Sequence, residues 1–249
     1  MGSVLVAFSG GVDSTLLLKV AGDVLPGEVL AVTAAGPLYP SAEVVEAGQL
    51  ADLIGVQHVV VANTALQNPV FQKNPPDRCY HCKKELYASL QKLADRRGLR
   101  QVIDGVNADD AGDFRPGLQA GKEMGVRSPL QEAGLSKEEI RRWSACLGLP
   151  TADKPASPCL ATRFPYGAGI TAEKLARVAA AEGFLRRLGF LLVRVRDHGD
   201  LARIETPSGQ LSLALERAGE ISGGLKELGY VYVSLDLQGY RTGSMNEVK

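Results

Sequence analysis

Ser9-Gly10-Gly11-Val12-Asp13-Ser14 has the residue types of a phosphate-binding loop. It follows an apolar run at residues 4–8 and opens a stretch in which Leu16, Leu17, Val20 and Val24 recur at helical spacing. A loop at such a junction turns the N–H groups and positive dipole end of a helix toward an incoming phosphate. Gly10 and Gly11 let the backbone approach oxygen atoms closely, and Ser9 and Ser14 bring hydroxyl donors. Asp13 is an acid beside phosphates, a placement that suits a loop-orienting residue or a Mg²⁺ ligand. A glycine turn with a serine N-cap is the plain alternative, but the strand–loop–helix context favours nucleotide binding. No Gly-Lys-Ser/Thr follows, so this is not a Walker loop.

Asp104-Gly105-Val106-Asn107-Ala108-Asp109-Asp110 continues to Asp113-Phe114-Arg115-Pro116-Gly117. The run follows a predicted strand at 101–105, so its carboxylates are expected at the C-terminal edge of the sheet, where α/β enzymes bind ligands. Asp109 and Asp110 are candidate oxygen ligands for a Mg²⁺ bridging the phosphates. Gly105 and Asn107, with Thr33 at the end of a strand over 29–33, complete the expected nucleotide-binding set. Asp113 taken alone reads as part of a solvated acidic loop.

Four cysteines, Cys79, Cys82, Cys146 and Cys159, are too few for a disulfide scaffold in 249 residues. A C-x-x-C pair points instead to metal or redox chemistry. Cys79 and Cys82 stand at a loop-to-helix boundary among basic Arg78, Lys83 and Lys84, neighbours that favour thiolates. Two thiolates do not fill a tetrahedral site. Cys159, in the irregular stretch Ser157-Pro158-Cys159-Leu160-Ala161-Thr162-Arg163, is the better third ligand. Cys146 lies three residues after Trp143 on an amphipathic helix and is expected in the core. Three cysteines on an α/β enzyme suit an iron–sulfur cluster with one iron open; zinc, with His81 as an awkward fourth ligand, or a redox pair are the alternatives.

Arg194 and Arg196 share one face of a predicted strand while Val193 and Val195 point to the other. Two forked guanidiniums there make a phosphate or carboxylate clamp, or else a charged edge strand.

These residues need a scaffold, and strand–helix alternation along the first half predicts a parallel sheet with helices on both faces. Helices are expected at 14–24, 42–54 and 83–97, and another after Ser136, whose Glu139 three residues on completes a capping box. Ile140, Trp143 and Leu147 are its apolar stripe. Residues 63–78 and 151–169 are long irregular stretches of the kind that carry function. The expected boundary gives an α/β domain over 1–165 and a small C-terminal α/β domain over 166–249, with helix 172–188, strands 190–196 and 201–206, helix 209–218 and strand 230–236.

Lysine plus arginine and aspartate plus glutamate both number 28, and this zero net charge argues against a general nucleic-acid binder. No apolar run reaches the length of a membrane span, so a cytoplasmic protein with no membrane partner is expected.

The loop at 9–14 resembles the PP-loop of the ATP pyrophosphatase superfamily, which implies cleavage of ATP between its α and β phosphates. Read along nearly the whole chain, the motifs resemble the LarE family, ATP-dependent sulfurtransferases of nickel-pincer nucleotide synthesis for lactate racemase. The resemblance rests on the PP-loop, the approach from Asn63 through Pro69 and Asn74-Pro75-Pro76-Asp77-Arg78 to Cys79, and Gly105 to Asp110. It further includes Ser128-Pro129-Leu130, the Cys159 stretch, Arg194 and Arg196 with Ala202-Arg203-Ile204-Glu205, and the tail Gly239-Tyr240-Arg241 with Gly243-Ser244-Met245-Asn246.

It implies that ATP and Mg²⁺ serve to adenylate a carboxylate of pyridinium-3,5-biscarboxylic acid mononucleotide, after which sulfur displaces AMP. Two modes exist in the family: Cys159 attacks and is sacrificed as dehydroalanine, or Cys79, Cys82 and Cys159 hold a [4Fe-4S] cluster. The three cysteines favour the second. Arg163, Arg194 and Arg196 are then expected on the substrate's phosphate and other carboxylate, Asp13 and Arg163 join Cys159 in catalysis, and a homo-oligomer, a hexamer, is implied. The rivals are a tRNA thiolase, an ammonia-using synthetase and a zinc-stabilised nucleotide-binding regulator.

Overall fold

A computed structural model describes residues 1–112, 116–241 and 243–246; Asp113, Phe114 and Arg115 of the acidic run lie outside them. Two compact units divide the chain. The first comprises Met1–Phe71 and Pro76–Ser157, and the second comprises Gln72–Pro75 and the chain from Pro158 onward.

In the first unit, strands β1 (Val4–Ala7), β2 (Val29–Ala35), β3 (Gln57–Ala62) and β4 (Gln101–Asp104) form a sheet of order β3-β2-β1-β4. All pairings are parallel, with Val4 opposite both Val29 and Gln101, and Leu30 opposite Gln57. Helices α1 (Val12–Val24) and α2 (Ser41–Ile54) are followed by a short α3 (Pro69–Gln72), then α4 (Arg78–Arg97), α5 (Pro116–Glu123), α6 (Pro129–Glu132) and α7 (Lys137–Cys146).

Alternation along β1 explains the layers. Val4 and Val6 pack with Leu16, Leu17, Leu50 and Ile140 in one cluster, while Leu5 joins Leu30, Tyr87, Leu90 and Val102 in another. The sheet is therefore covered on both faces, as a parallel sheet requires. This is the PP-loop α/β fold. Ala7 and Asp104 are register partners, so the loops leaving β1 and β4 emerge side by side at one edge. Gly55 and Gly98 close α2 and α4 in left-handed conformations at φ 80° and 69°, where a Cβ would be strained.

The second unit contains α8 (Ala172–Arg187), β5 (Arg194–His198), β6 (Leu201–Glu205), α9 (Leu211–Glu216), α10 (Ala218–Glu227) and β7 (Tyr232–Leu235). Its sheet order is β5-β6-β7, antiparallel between β5 and β6 and parallel between β6 and β7. Leu185, Phe190, Val193, Val195, Ile204, Ile221 and Leu225 form its core. Residues 72–75 join it through hydrogen bonds from Ile170 N–H to the Gln72 carbonyl, 2.8 Å, and from Gly167 N–H to the Asn74 carbonyl, 2.9 Å.

Several elements differ from the sequence expectation. Helix α4 begins at Arg78 rather than Lys83, so the C-x-x-C pair lies inside its N-terminal end, as its second and fifth residues. The expected helix at 209–218 ends at Glu216, and α10 continues beyond a break at Arg217. Cys146 is exposed, not part of the core, and Trp143 and Leu147 are 51% and 42% exposed. The reason is the face that α7 turns to α1: Ile140 and Ser144, one helical turn apart, are fully buried. They leave Trp143 on the flank and Cys146 on the outer side, while Leu147 lies past the last helical residue as the C-cap.

Candidate active site

The phosphate loop is held in shape by its own serines. The hydroxyls of Ser9 and Ser14 lie 3.1 Å apart, Ser14 Oγ accepts from Ser9 N–H at 3.3 Å, and Ser9 Oγ accepts from Gly11 N–H at 3.4 Å. Ser14 Oγ also reaches the Gly11 carbonyl at 3.2 Å. Gly10 has φ +69°, and a Cβ there would lie 3.3 Å from Ala47 on α2. The loop thus packs tightly against that helix. No side-chain cap covers Gly11 at the N-cap of α1, and Asp13 sits in the first helical turn.

Asp13 connects this loop to the one leaving β4. Its Oδ1 accepts from Asn107 Nδ2 at 3.1 Å, and its Oδ2 is paired with the Lys137 ammonium. Asn107 Oδ1 accepts from Asp109 N–H at 3.0 Å, and Asn107 N–H donates to Asp110 Oδ2 at 3.1 Å. Asp109 Oδ2 accepts from Lys137 N–H at 2.8 Å. Five of the polar residues around the loop therefore form one network. Asp110 is buried and Asp109 exposed.

Behind it, Thr33 Oγ1 donates to the Phe8 carbonyl at 2.8 Å and meets His58 Nε2 at 2.8 Å. Thr33 braces the end of β1 from the adjacent strand. Burial lowers the His58 pKa against a partly opposing pull from Asp52. Asp104 accepts from Tyr87 at 2.6 Å and Ser128 at 2.7 Å, fixing the exit of β4.

Cys79 and Cys82 are half-buried and three residues apart at the N-terminal end of α4, hence on one helix face. Asn63 Nδ2 donates to Cys82 Sγ at 3.5 Å and to Tyr39 Oη at 3.3 Å. His81 turns to Asp77, 3.2 Å away, rather than to either cysteine. The pair suits two corners of a thiolate-ligated group. Among the described residues, no group of three or more His, Cys, Asp or Glu side chains is gathered to hold a metal ion.

In the second unit, half-buried Cys159 caps a 3₁₀ turn, Leu160–Arg163. Two arginines fix that turn from its buried side. Arg163 forks onto Glu182 at 2.8 and 3.0 Å and donates through Nη1 to the carbonyls of Pro158, 2.8 Å, and Cys159, 3.2 Å. Arg196 binds Glu205 through Nε and Nη2 at 2.9 and 2.6 Å and the Thr162 carbonyl through Nη1 at 3.1 Å. Ser244 closes the set, donating to Glu205 Oε1 at 2.8 Å and accepting from Arg196 at 3.0 Å.

Burial pushes the Glu182 carboxyl up, but bonds to Arg163, the charges of Arg163 and Arg194 and the Val195 N–H outweigh it and hold it below the usual range. Arg194, stacked 5.5 Å from the Tyr240 ring, is pushed down by burial and then by the Arg163 charge. Its cationic form is costly there, and a nearby anion stabilises it.

No protein-family model matches the chain. An uncharacterised protein of Synechocystis sp. is 50% identical, covering 98% of this chain and 92% of that protein. The pyridinium-3,5-bisthiocarboxylic acid mononucleotide synthase of Lactiplantibacillus plantarum is 43% identical, covering 98% of this chain and 89% of the synthase. The chain belongs to the LarE family. A more distant relative, the tRNA-specific 2-thiouridylase of Rickettsia felis, is 28% identical over 62% of this chain and 52% of its own length.

For this LarE-family chain the sequence missed two cations of the first unit. Lys137 opens α7 directly after its capping serine, and Lys154 Nζ lies 2.9 Å from the Gly10 carbonyl and 2.8 Å from Glu46. Spacing alone could not find either, since 124 and 144 residues separate them from their loop partners. No helix among the described residues is long and apolar enough to cross a membrane.

Proposed function

We propose that this chain is an ATP-dependent sulfurtransferase that converts a carboxylate of pyridinium-3,5-biscarboxylic acid mononucleotide to a thiocarboxylate in nickel-pincer nucleotide synthesis. The 43% identity with the Lactiplantibacillus synthase, along 98% of the chain, carries the reading. The phosphate loop and the Asp13 network support it.

A carboxylate is a poor electrophile. Its oxygen attacks the α-phosphorus of ATP, pyrophosphate departs, and the acyl-AMP then loses AMP to a sulfur nucleophile. Ser9, Gly10, Gly11 and Ser14 bind the phosphates with N–H and hydroxyl donors, with Gly105, Asn107 and Thr33 shaping the site. Asp109, Asp110 and Asp13 offer oxygens suited to Mg²⁺, which when bound neutralises phosphate charge.

Cys79, Cys82 and Cys159 are the residues that would hold a [4Fe-4S] cluster, which when bound supplies an inorganic sulfide. The other mode uses Cys159 itself, whose Cα–H and Cβ–S bonds break after transfer to leave dehydroalanine. Arg194 receives an anionic group of the substrate, its phosphate or second carboxylate. Arg163 and Arg196, each forked on a buried glutamate, hold the Cys159 turn in position instead of offering a free clamp. The proposal includes cytoplasmic action on a small nucleotide, no nucleic-acid or membrane partner, and a homo-oligomer, a hexamer by family resemblance.

The test is pyrophosphate release in anaerobic reactions with ATP and Mg²⁺. Release that depends on the added biscarboxylate supports the reading; release that depends on tRNA, or none, sinks it. Iron and sulfide analysis with the protein's mass after one turnover separates the sulfur sources. Iron with unchanged mass means cluster chemistry, and no iron with a loss of H₂S means a sacrificed Cys159.

A further inference from the structure

Lys154 is pinned over the phosphate loop in a way its stretch of sequence does not advertise. Its ammonium touches the Gly10 carbonyl at 2.9 Å and Glu46 Oε1 at 2.8 Å. The backbone that carries it is fastened independently: Arg141 donates to the carbonyls of Ala152 at 2.5 Å and Lys154 at 3.0 Å, and Ser157 Oγ reaches Glu43 at 2.5 Å. The side chain is 20% exposed, so the ammonium is half-sheltered at the loop's edge with water still reaching it.

The loop's other cation is engaged differently. Lys137 pairs with Asp13 and anchors Asp109 through its backbone, so its charge is already matched by a carboxylate of the network. Lys154 holds a neutral carbonyl of the loop itself and a Glu46 carboxylate that is 45% exposed. The carbonyl carries no net charge, and a partly exposed ion pair such as that with Glu46 contributes only about 0–1 kcal/mol, so a polyphosphate at the loop competes well for the ammonium.

Building on the nucleotide-binding reading above, we propose that Lys154 is a nucleotide-contacting residue, which leaves the Gly10 carbonyl and binds the pyrophosphate portion of ATP. A fixed ammonium there stabilises the negative charge that grows on the β and γ phosphates as the α–β bond breaks. AMP lacks those phosphates and gains nothing from it. Lys154 therefore discriminates ATP from AMP, which helps the loop release AMP after sulfur transfer.

The experiment titrates α,β-methylene-ATP and AMP, each with Mg²⁺, into the full-length wild-type protein, Lys154→Met and Lys154→Arg. Lys154→Met is expected to weaken the ATP analogue about tenfold or more, the loss of a charge-assisted bond, and to change AMP binding less than about twofold. Lys154→Arg restores most of the analogue's affinity. Unchanged analogue binding in Lys154→Met, or equal losses for analogue and AMP, overturns the proposal while leaving the nucleotide site intact. A wild-type protein that binds neither nucleotide overturns both. Lys154→Gln, judged by the same split between analogue and AMP, serves where Lys154→Met does not fold.

Discussion

A Cβ on Gly105 would lie 2.9 Å from the amide nitrogen of Ser14. The chain leaving β4 thus passes so close to the first turn of α1 that only glycine fits, and the backbone of the phosphate loop is braced by the strand beside it. Gly105→Ala must push the two apart. It is expected to cost about 1–3 kcal/mol of stability, as overpacking does, and to weaken ATP binding more than tenfold. Chemical denaturation and nucleotide titration measure the two effects.

Asp13 ties the loop to Asn107 and Lys137 through partly exposed contacts, so its replacement acts on function more than on folding. Asp13→Asn keeps the size of the side chain while removing its charge. Pyrophosphate release is expected to fall at least tenfold with the melting temperature within a few degrees of wild type, since surface ion pairs contribute about 0–1 kcal/mol. A large drop in melting temperature would assign Asp13 to the scaffold instead.

The buried Arg163–Glu182 pair is a different case. Glu182→Leu alone leaves a buried guanidinium unmatched and is expected to cost about 3–5 kcal/mol, whereas Arg163→Met with Glu182→Leu recovers much of that. The folded-state pKa of Glu182 is lowered, so its contribution is present above the ordinary glutamate range and lost as pH falls through the folded value. Melting curves of wild type and Glu182→Gln are therefore expected to converge in acid, below about pH 4. Parallel curves would contradict that assignment.

Thiol chemistry separates the cysteines. Cys146 is exposed, while the other three are half-buried. A mild alkylating reagent should label Cys146 first in the native protein, and Cys146→Ser should retain full activity. Cys159→Ser should abolish sulfur transfer yet leave carboxylate-dependent pyrophosphate release in place, a split measured by assaying both products.

The phosphate loop and the run from Gly105 to Asp110 were legible because residue type, spacing and a preceding strand act locally. The parallel sheet was legible for the same reason, from apolar runs alternating with helical periods. Lys137 and Lys154 were not, because their partners are set by tertiary structure. Arg194 and Arg196 could be recognised as a charged pair on one strand, but nothing in the spacing reveals that Glu182 and Glu205 meet Arg163 and Arg196 in the core. On α7, periodicity picked out Ile140, Trp143 and Leu147 as the apolar stripe, but the packing of Ile140 and Ser144 against α1 decides which face is buried. Helix α4 starts early because Arg78 through Cys82 follow Asp77 without a proline or glycine to stop them, a continuity outweighed in the sequence by the prolines at 75 and 76.

The central claim is that the phosphate loop activates a carboxylate for sulfur insertion, and mass spectrometry of the small-molecule product tests it most directly. Incubated anaerobically with ATP, Mg²⁺ and pyridinium-3,5-biscarboxylic acid mononucleotide, the protein is predicted to exchange a carboxylate oxygen for sulfur, with AMP and pyrophosphate formed one for one. AMP and pyrophosphate without a sulfur-containing product, or an unchanged substrate after full reconstitution, would contradict it.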